Sequence, residues 1–318
     1  MMTELELREH RRKRWRLDGH PLRSAEDARE FLESVGFCLM YPVKPAVLLP
    51  TFLGACVGSE ANLPARAQAF ANPRARQAES LLLDLLRQRA VFETNLFGET
   101  PLLLAPSVLP YFYALVGDRN PKAGAKAGPG ADKLSPLARD AWAELERRGP
   151  LGKAKLREAL GGAPSDPALQ RALGELGASL KIARADESPQ AGATWELLHR
   201  WAPQAVKEGI GLSVGESLSA LISRYLDCVA AAEAKEVEDF LSRFAARSRV
   251  RESVNALLAA RELAFVAVGS KTLIQIAPPK PPVTFRRVVP AGVRGKPKSS
   301  PPRRPASRPG GRRQDKKA

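Results

Sequence analysis

The sequence predicts an α+β, mostly helical fold: three tandem winged-helix modules with short β-hairpin wings, then a disordered basic C-terminal tail. Three observations carry this reading. Between residues 134 and 277 one local pattern is written twice, as helix, short turn, helix, helix and a two-stranded hairpin. A looser copy of that pattern occupies residues 24–116. The charge is concentrated at the far end: residues 278–318 hold 13 lysines and arginines against one acid, Asp315, and so carry +12 of the net +16.

Residues 1–20 alternate in charge and are expected to form a frayed helix or arm. The first, divergent module is placed at 21–116. Ser24 is its opening N-cap, with Asp27 three residues on; Ala28, Phe31, Leu32 and Val35 follow at helical spacing, and Gly36 stops the run. Pro42 and Pro45 bracket a turn. Residues 46–57 read as a second helix, 77–89 as a third, 91–95 and 102–105 as strands around Phe97-Gly98, and 108–116 as a closing helix. The Gly-, Ala-, Pro- and Lys-rich stretch 117–133 reads as a linker.

The second module, 134–202, is the clearest. Ser135 caps a helix with Pro136 at its first position, and Leu137, Ala141 and Leu145 mark its buried face. Residues 153–160 form the second helix. Asp166-Pro167 starts the third, striped by Leu169, Leu173 and Leu176. Residues 180–183 and 194–198 alternate as strands around a wing at 186–192. The third module, 203–277, repeats this with helices at 217–231, 235–244 and 249–260. Its hairpin, 263–268 and 272–276, turns at Gly269-Ser270, which suits type I′ or II′ geometry. The tail, 278–318, is rich in Pro, Gly and Ser and nearly free of apolar side chains after Val293, too little to fold alone.

Composition narrows the function. A net charge of +16 seeks polyanions, meaning nucleic acid or an anionic surface. No apolar run approaches the roughly 18 residues of a membrane span, and no apolar region follows the basic N-terminal residues as a secretory signal requires. Three scattered cysteines, Cys38, Cys56 and Cys228, fit reduced thiols. The expectation is a monomeric cytoplasmic, nucleoid-associated protein whose partner is double-stranded DNA.

In a winged helix the third helix enters the major groove and the wing touches the backbone or minor groove. The outward face of the second module's third helix offers Gln170 and Arg171; that of the third module offers Arg247, Arg249, Arg251 and Asn255. Lys153, Lys155 and Arg157 meet phosphates if the second helix crosses the backbone. In the tail, Arg303, Arg304, Arg312 and Arg313 add an electrostatic tether that weakens with salt. Glu158 and Glu175 dilute these patches, so strong sequence selectivity is not expected. Tandem copies in one chain also argue against the palindromic operator of a transcriptional regulator.

At this point the chain resembles the AlkZ-type winged-helix DNA glycosylases, a family that excises alkylated bases and unhooks interstrand crosslinks, as a divergent, AlkZ-related member. The resemblance rests on ESVGFCLMYP (33–42), RQRAVFETNLFGETPLLLAP (87–106), LSPLARDAWAELERRGPLGKAKLREAL (134–160), ALQRALGELGASLKIARA (168–185) and the repeat at 213–277. It implies a catalytic Gln-x-Gln or Gln-x-Asp pair after the first helix. Aligned on Gly36-Phe37, those two positions fall on Leu39 and Tyr41. Leucine can neither orient a water nor accept a proton, and tyrosine is a poor base at neutral pH.

The reading favoured is therefore a duplex-DNA-binding protein on a DNA-repair scaffold without the usual pair. The alternative is an active glycosylase with rearranged residues, using Tyr41 or Glu93, since a carboxylate can activate water. Glu93 and Glu99, beside Asn95, are otherwise expected as solvated hairpin residues. His10, His20 and His199 make no ligand spacing, with His199 expected to pack at the end of a wing strand. No CxxC, HExxH or glycine-rich phosphate loop occurs, so neither metal nor nucleotide cofactor is expected. Trp142 and Trp195 are expected in the second module's core.

Overall fold

The N-terminal residues are a docked helix, not a frayed arm. In the computed structural model, which describes residues 3–69, 71–98, 100–121, 134–188 and 192–278, α1 spans Glu4–Arg14 behind a Thr3/Glu6 capping box. Leu7 packs with Ala231, Val268 and Leu273. Arg11 donates from Nε to the Val229 carbonyl at 2.9 Å and from Nη2 to that of Ala231, while Trp15 donates from Nε1 to the Cys228 carbonyl at 2.9 Å. Alternating charge hides such docking in the sequence, because the cationic side chains serve as donors to distant carbonyls.

The first repeat follows. Helix α2 (Ala25–Val35) starts at Ser24, whose side chain accepts from Asp27 N–H, and ends at Gly36. Strand β1 is Phe37–Leu39. The helix expected over 46–57 is shorter, α3 (Phe52–Val57). Pro50 holds the preceding residue out of helical conformation, and the Thr51 side chain caps the helix at Gly54 N–H. After the short α4 (Arg66–Ala69), the third helix α5 (Pro73–Arg87) begins earlier than expected, because Asn72 accepts from Arg74 and Ala75 N–H and Pro73 stands at the first turn. Strands β2 (Phe92–Thr94) and β3 (Leu102–Leu104) and helix α6 (Leu109–Val116) complete it. The sheet order is β1-β3-β2, with Phe37 and Phe92 both opposite Leu104.

The second repeat has α7 (Pro136–Arg148), β4 (Leu151–Gly152), α8 (Lys153–Ala159), α9 (Asp166–Ala178), β5 (Ile182–Ser188) and β6 (Gly192–Leu197), in sheet order β4-β6-β5. Ser165, not Asp166, caps α9. Strand β5 runs to Ser188, into the stretch expected to be wing turn. His199 belongs to the short helix α10 (Leu198–Trp201) rather than to a strand, and α11 (Pro203–Gly211) is a connector that apolar periodicity alone does not announce. The third repeat comprises α12 (Val214–Val229), capped by Ser213 one turn before the expected start, α13 (Ala234–Leu241), α14 (Arg247–Ala259), β7 (Leu263–Val268) and β8 (Lys271–Ile276). Of the two turn residues Gly269 alone has positive φ, +57°, as type II′ requires. A bridge between Ala232 and Ile274 stands where the other repeats place their first strand. Each repeat therefore pairs its first strand or bridge with its last strand.

Packing joins the first and third repeats. Phe37 and Tyr225 stack on Phe240 with ring centroids 5.3 Å apart in each pair, and Phe244 meets Phe112 edge-on at 5.1 Å. The second repeat has its own core, which includes Trp142, Leu145, Leu156, Leu169, Leu173 and Trp195. Gly36 is the hinge of the first arrangement. Its φ is +81°, and a Cβ there would lie 2.5 Å from Nε of Arg224, whose Nη2 donates to the Glu33 carbonyl at the end of α2. Gly36→Ala is expected to lower unfolding free energy by about 2 kcal/mol, from backbone strain plus displacement of Arg224; urea denaturation measures it.

Candidate nucleic-acid interface

Helix α9 buries Leu169, Leu173 and Leu176, which leaves Gln170 and Arg171 exposed on its far side. On α8, Lys155 is exposed, whereas Lys153 and Arg157 both engage the Asp166 carboxylate, at 3.2 and 3.3 Å. Those two cations hold Asp166 below the usual carboxylate range, the hydrogen bond from Lys153 leading. At the start of α14, Arg247 pairs with Asp239, and Arg251 with Glu238 at 2.9 Å; Arg249 and Asn255 are exposed. Arg243, which the sequence reading passed over, stacks 4.2 Å above the ring of Phe97. Arg243, Arg247, Arg249 and Arg251 thus crowd one short stretch, and their i, i+4, i+6, i+8 spacing was the available signal. Exposed ion pairs such as those of Asp166 and Asp239 contribute at most about 1 kcal/mol, so phosphate can displace these two carboxylates at little cost, whereas Glu238 is only 12% exposed. Arg303, Arg304, Arg312 and Arg313, like Glu99, lie outside the described residues.

The segment after α2 is sealed. Phe37, Cys38, Leu39, Met40 and Tyr41 are all buried, with Leu39 beside Leu102 in the sheet. Leu39 therefore meets no water. Tyr41 turns its hydroxyl outward and donates to Glu79 Oε1 at 2.6 Å, while its N–H donates to Thr100 Oγ1 at 3.1 Å. Burial, then the hydrogen bond to Glu79 and the negative charges of Glu79 and Glu93, hold the phenol well above its ordinary pKa; Arg66 opposes them. Sequence reasoning missed Glu79, which stands on the polar face of α5.

Glu93 is not a solvated hairpin residue. Its Oε2 accepts from Arg184 Nη1 at 2.7 Å, in a pair whose side chains are only 15% (Arg184) and 11% (Glu93) exposed. Arg184 also donates to Glu187 Oε2 at 2.6 Å. Burial disfavours its charge, but Glu93 and Glu187 outweigh that and raise its pKa. A second strap runs from Arg87 to Asp186 at 2.7 Å and to the Glu187 carbonyl at 3.1 Å. A third is the buried Lys181–Asp118 pair at 3.1 Å. Strand β5 of the second repeat is so bound to α5 and β2 of the first. Among the described residues, no group of three His, Cys, Asp or Glu side chains is arranged to hold a metal, and no helix is long and apolar enough to cross a membrane.

A profile of the family described as DNA glycosylase AlkZ-like matches residues 63–291. The chain belongs to the AlkZ-like DNA glycosylase family. Among solved structures, the DNA glycosylase AlkZ of Streptomyces sahachiroi superposes with a TM-score of 0.50 at 16% identity, over 84% of this chain and 67% of that one. At that identity the likeness concerns the fold. A comparison with curated proteins finds no match. Membership and fold together support a DNA-binding role in DNA repair for this AlkZ-like chain. Glu79, Glu93 and Arg184 lie inside the matched stretch; Leu39 and Tyr41 precede it.

Proposed function

We propose that this AlkZ-like chain is a duplex-DNA-binding protein of DNA repair. Its three repeats act as winged helices whose third helices and wings grip phosphate, and the usual catalytic pair is missing at Leu39 and Tyr41. The observation that carries the reading is the topology, written three times, with the first strand or bridge returning to the last strand and Gln170, Arg171, Arg249 and Asn255 exposed on third helices. Asp166, Glu238 and Asp239 temper the cations around them, which leaves most of the long-range attraction to residues 278–318.

Retardation of plain duplex at about 50 mM salt, lost as salt rises, is the expected result. A chain ending at residue 278 is expected to bind more weakly and with a shallower dependence of log K on log salt, by about 0.9 for each phosphate contact removed. Absence of retardation by the full chain at low salt refutes the proposal. A second reading, an active glycosylase with rearranged residues, draws on the Tyr41–Glu79 hydrogen bond.

A further inference from the structure

We infer that Glu79, positioned by Tyr41, is the carboxylate that activates water for hydrolysis of an N-glycosidic bond, beside a pocket that receives the extruded nucleotide. This rests on the duplex-binding reading above. Three side chains compete for the role, and two are eliminated by their surroundings. Leu39 is sealed in the sheet and has no polar atom on its side chain. Glu93 is committed to Arg184 in a buried pair.

Glu79 differs on each count. It is exposed on the solvent face of α5, the third helix of its repeat, which is the helix a winged helix turns toward DNA. One oxygen, Oε1, is fixed by the Tyr41 hydroxyl; among the described residues nothing hydrogen-bonds the other. The polar atom at the second family position thus recruits an acid from another element. The acids Glu79 and Asp84 also weaken α5 as a groove reader, since they repel phosphate.

The pocket lies directly after Tyr41. It is open, measures about 490 Å³, and is lined by Pro42, Lys44, Asn62, Arg66, Gln68 and Thr100 among others. Thr100, which lines the pocket, accepts from the Tyr41 N–H, so the pocket adjoins the residue that holds Glu79. The volume lies within the range of small-ligand sites, and base-excising enzymes extrude their target into such a pocket. Lys44 brings positive charge to the pocket lining for a flanking phosphate, and Glu60 stands there too as an acid.

The step balances without a cofactor. Water donates its oxygen to C1′ of the deoxyribose and one proton to Glu79 Oε2. The C1′–N bond breaks and its electron pair leaves with the base. A purine alkylated at N7 is cationic before cleavage and departs neutral, so no acid is needed to protonate it; the carboxylate also stabilises the cationic sugar at the transition state.

The test uses the full chain and a duplex carrying one 7-methylguanine, with single-turnover base release and gel retardation read in parallel. Wild type is expected to free 7-methylguanine. Glu79→Gln should slow release about 100-fold, the lower end for a general base, with retardation at least as strong as wild type, since a charge that repels phosphate is removed. Tyr41→Phe should slow it about tenfold with unchanged Kd, a split between rate and binding that a purely structural phenol would not give. Duplex retained but no base freed by wild type, or release by Glu79→Gln at the wild-type rate, overturns the assignment and leaves duplex binding standing. No retardation removes both.

Discussion

Between about pH 9 and about pH 11 the folded chain is expected to lose at least about 5 kcal/mol of stability through its cysteine thiols. Cys38 and Cys228 are fully buried. Burial pushes the Cys228 and Cys56 thiols up to about 12 and raises that of Cys38 well above its ordinary value. In the unfolded chain all three titrate at about 8.5. A folded-state pKa above the unfolded one means that the native chain keeps its proton while the unfolded chain releases it. That stabilisation is complete below the unfolded value and declines as pH rises through the interval up to the folded value, at about 1.4 kcal/mol per group and pH unit. Cys228 and Cys56 over two units give the figure above, a large share of a typical total of about 5–15 kcal/mol, and Cys38 adds to it in the same direction. The buried phenols of Tyr41 and Tyr225 add to the loss above about pH 10.

Urea denaturation at intervals across this range, under reducing conditions, measures the slope. Cys228→Ala should make the slope shallower while costing little at neutral pH, because the substitution deletes a titrating atom from a site that stays apolar. A flat profile to about pH 11 would mean that these thiols reach solvent in the native state.

Local chemistry made the repeats legible. Ser24 with Asp27 and Ser135 with Pro136 announced helix starts that the structure shares. The 137–145 and 169–176 stripes are faces of the second core, and Gly269-Ser270 gave a hairpin its turn. Misplaced boundaries have local causes too: Pro50 and Thr51 cut short the helix expected from 46, and Ser213 rather than Ser217 opens α12. What stayed hidden depends on contacts distant in sequence. The docking of α1 uses carbonyls over 200 residues away. Glu79 reads as one more charge on a solvated helix face until the fold brings it to Tyr41, and Glu93 reads as a hairpin charge until Arg184, 91 residues on, covers it. Helical periodicity reports burial of apolar groups; it carries nothing about which polar group a distant strand will deliver.

Glu93→Ala is expected to lower unfolding free energy by about 3 kcal/mol, with the second repeat loosened first. Removing one member of a buried pair leaves the other desolvated and uncompensated, at a typical cost of about 3–5 kcal/mol. Glu187 remains as a partner for Arg184 and keeps the effect at the lower end. The double replacement Glu93→Leu with Arg184→Met should recover most of the loss, because no buried charge is then left alone. Asp186→Ala removes the ion pair from the neighbouring strap to Arg87, whose members are nearly half exposed, leaves the bond to the Glu187 carbonyl, and should cost under about 1 kcal/mol. The contrast separates the two carboxylates near Tyr41. If Glu93 is structural, Glu93→Ala lowers the melting transition and alters base release only through the unfolded fraction, whereas Glu79→Gln leaves the transition in place and slows the chemistry about 100-fold. The reverse result, a stable Glu93→Ala chain unable to release base, would return the catalytic role to Glu93 and leave Arg184 as the group that orients it.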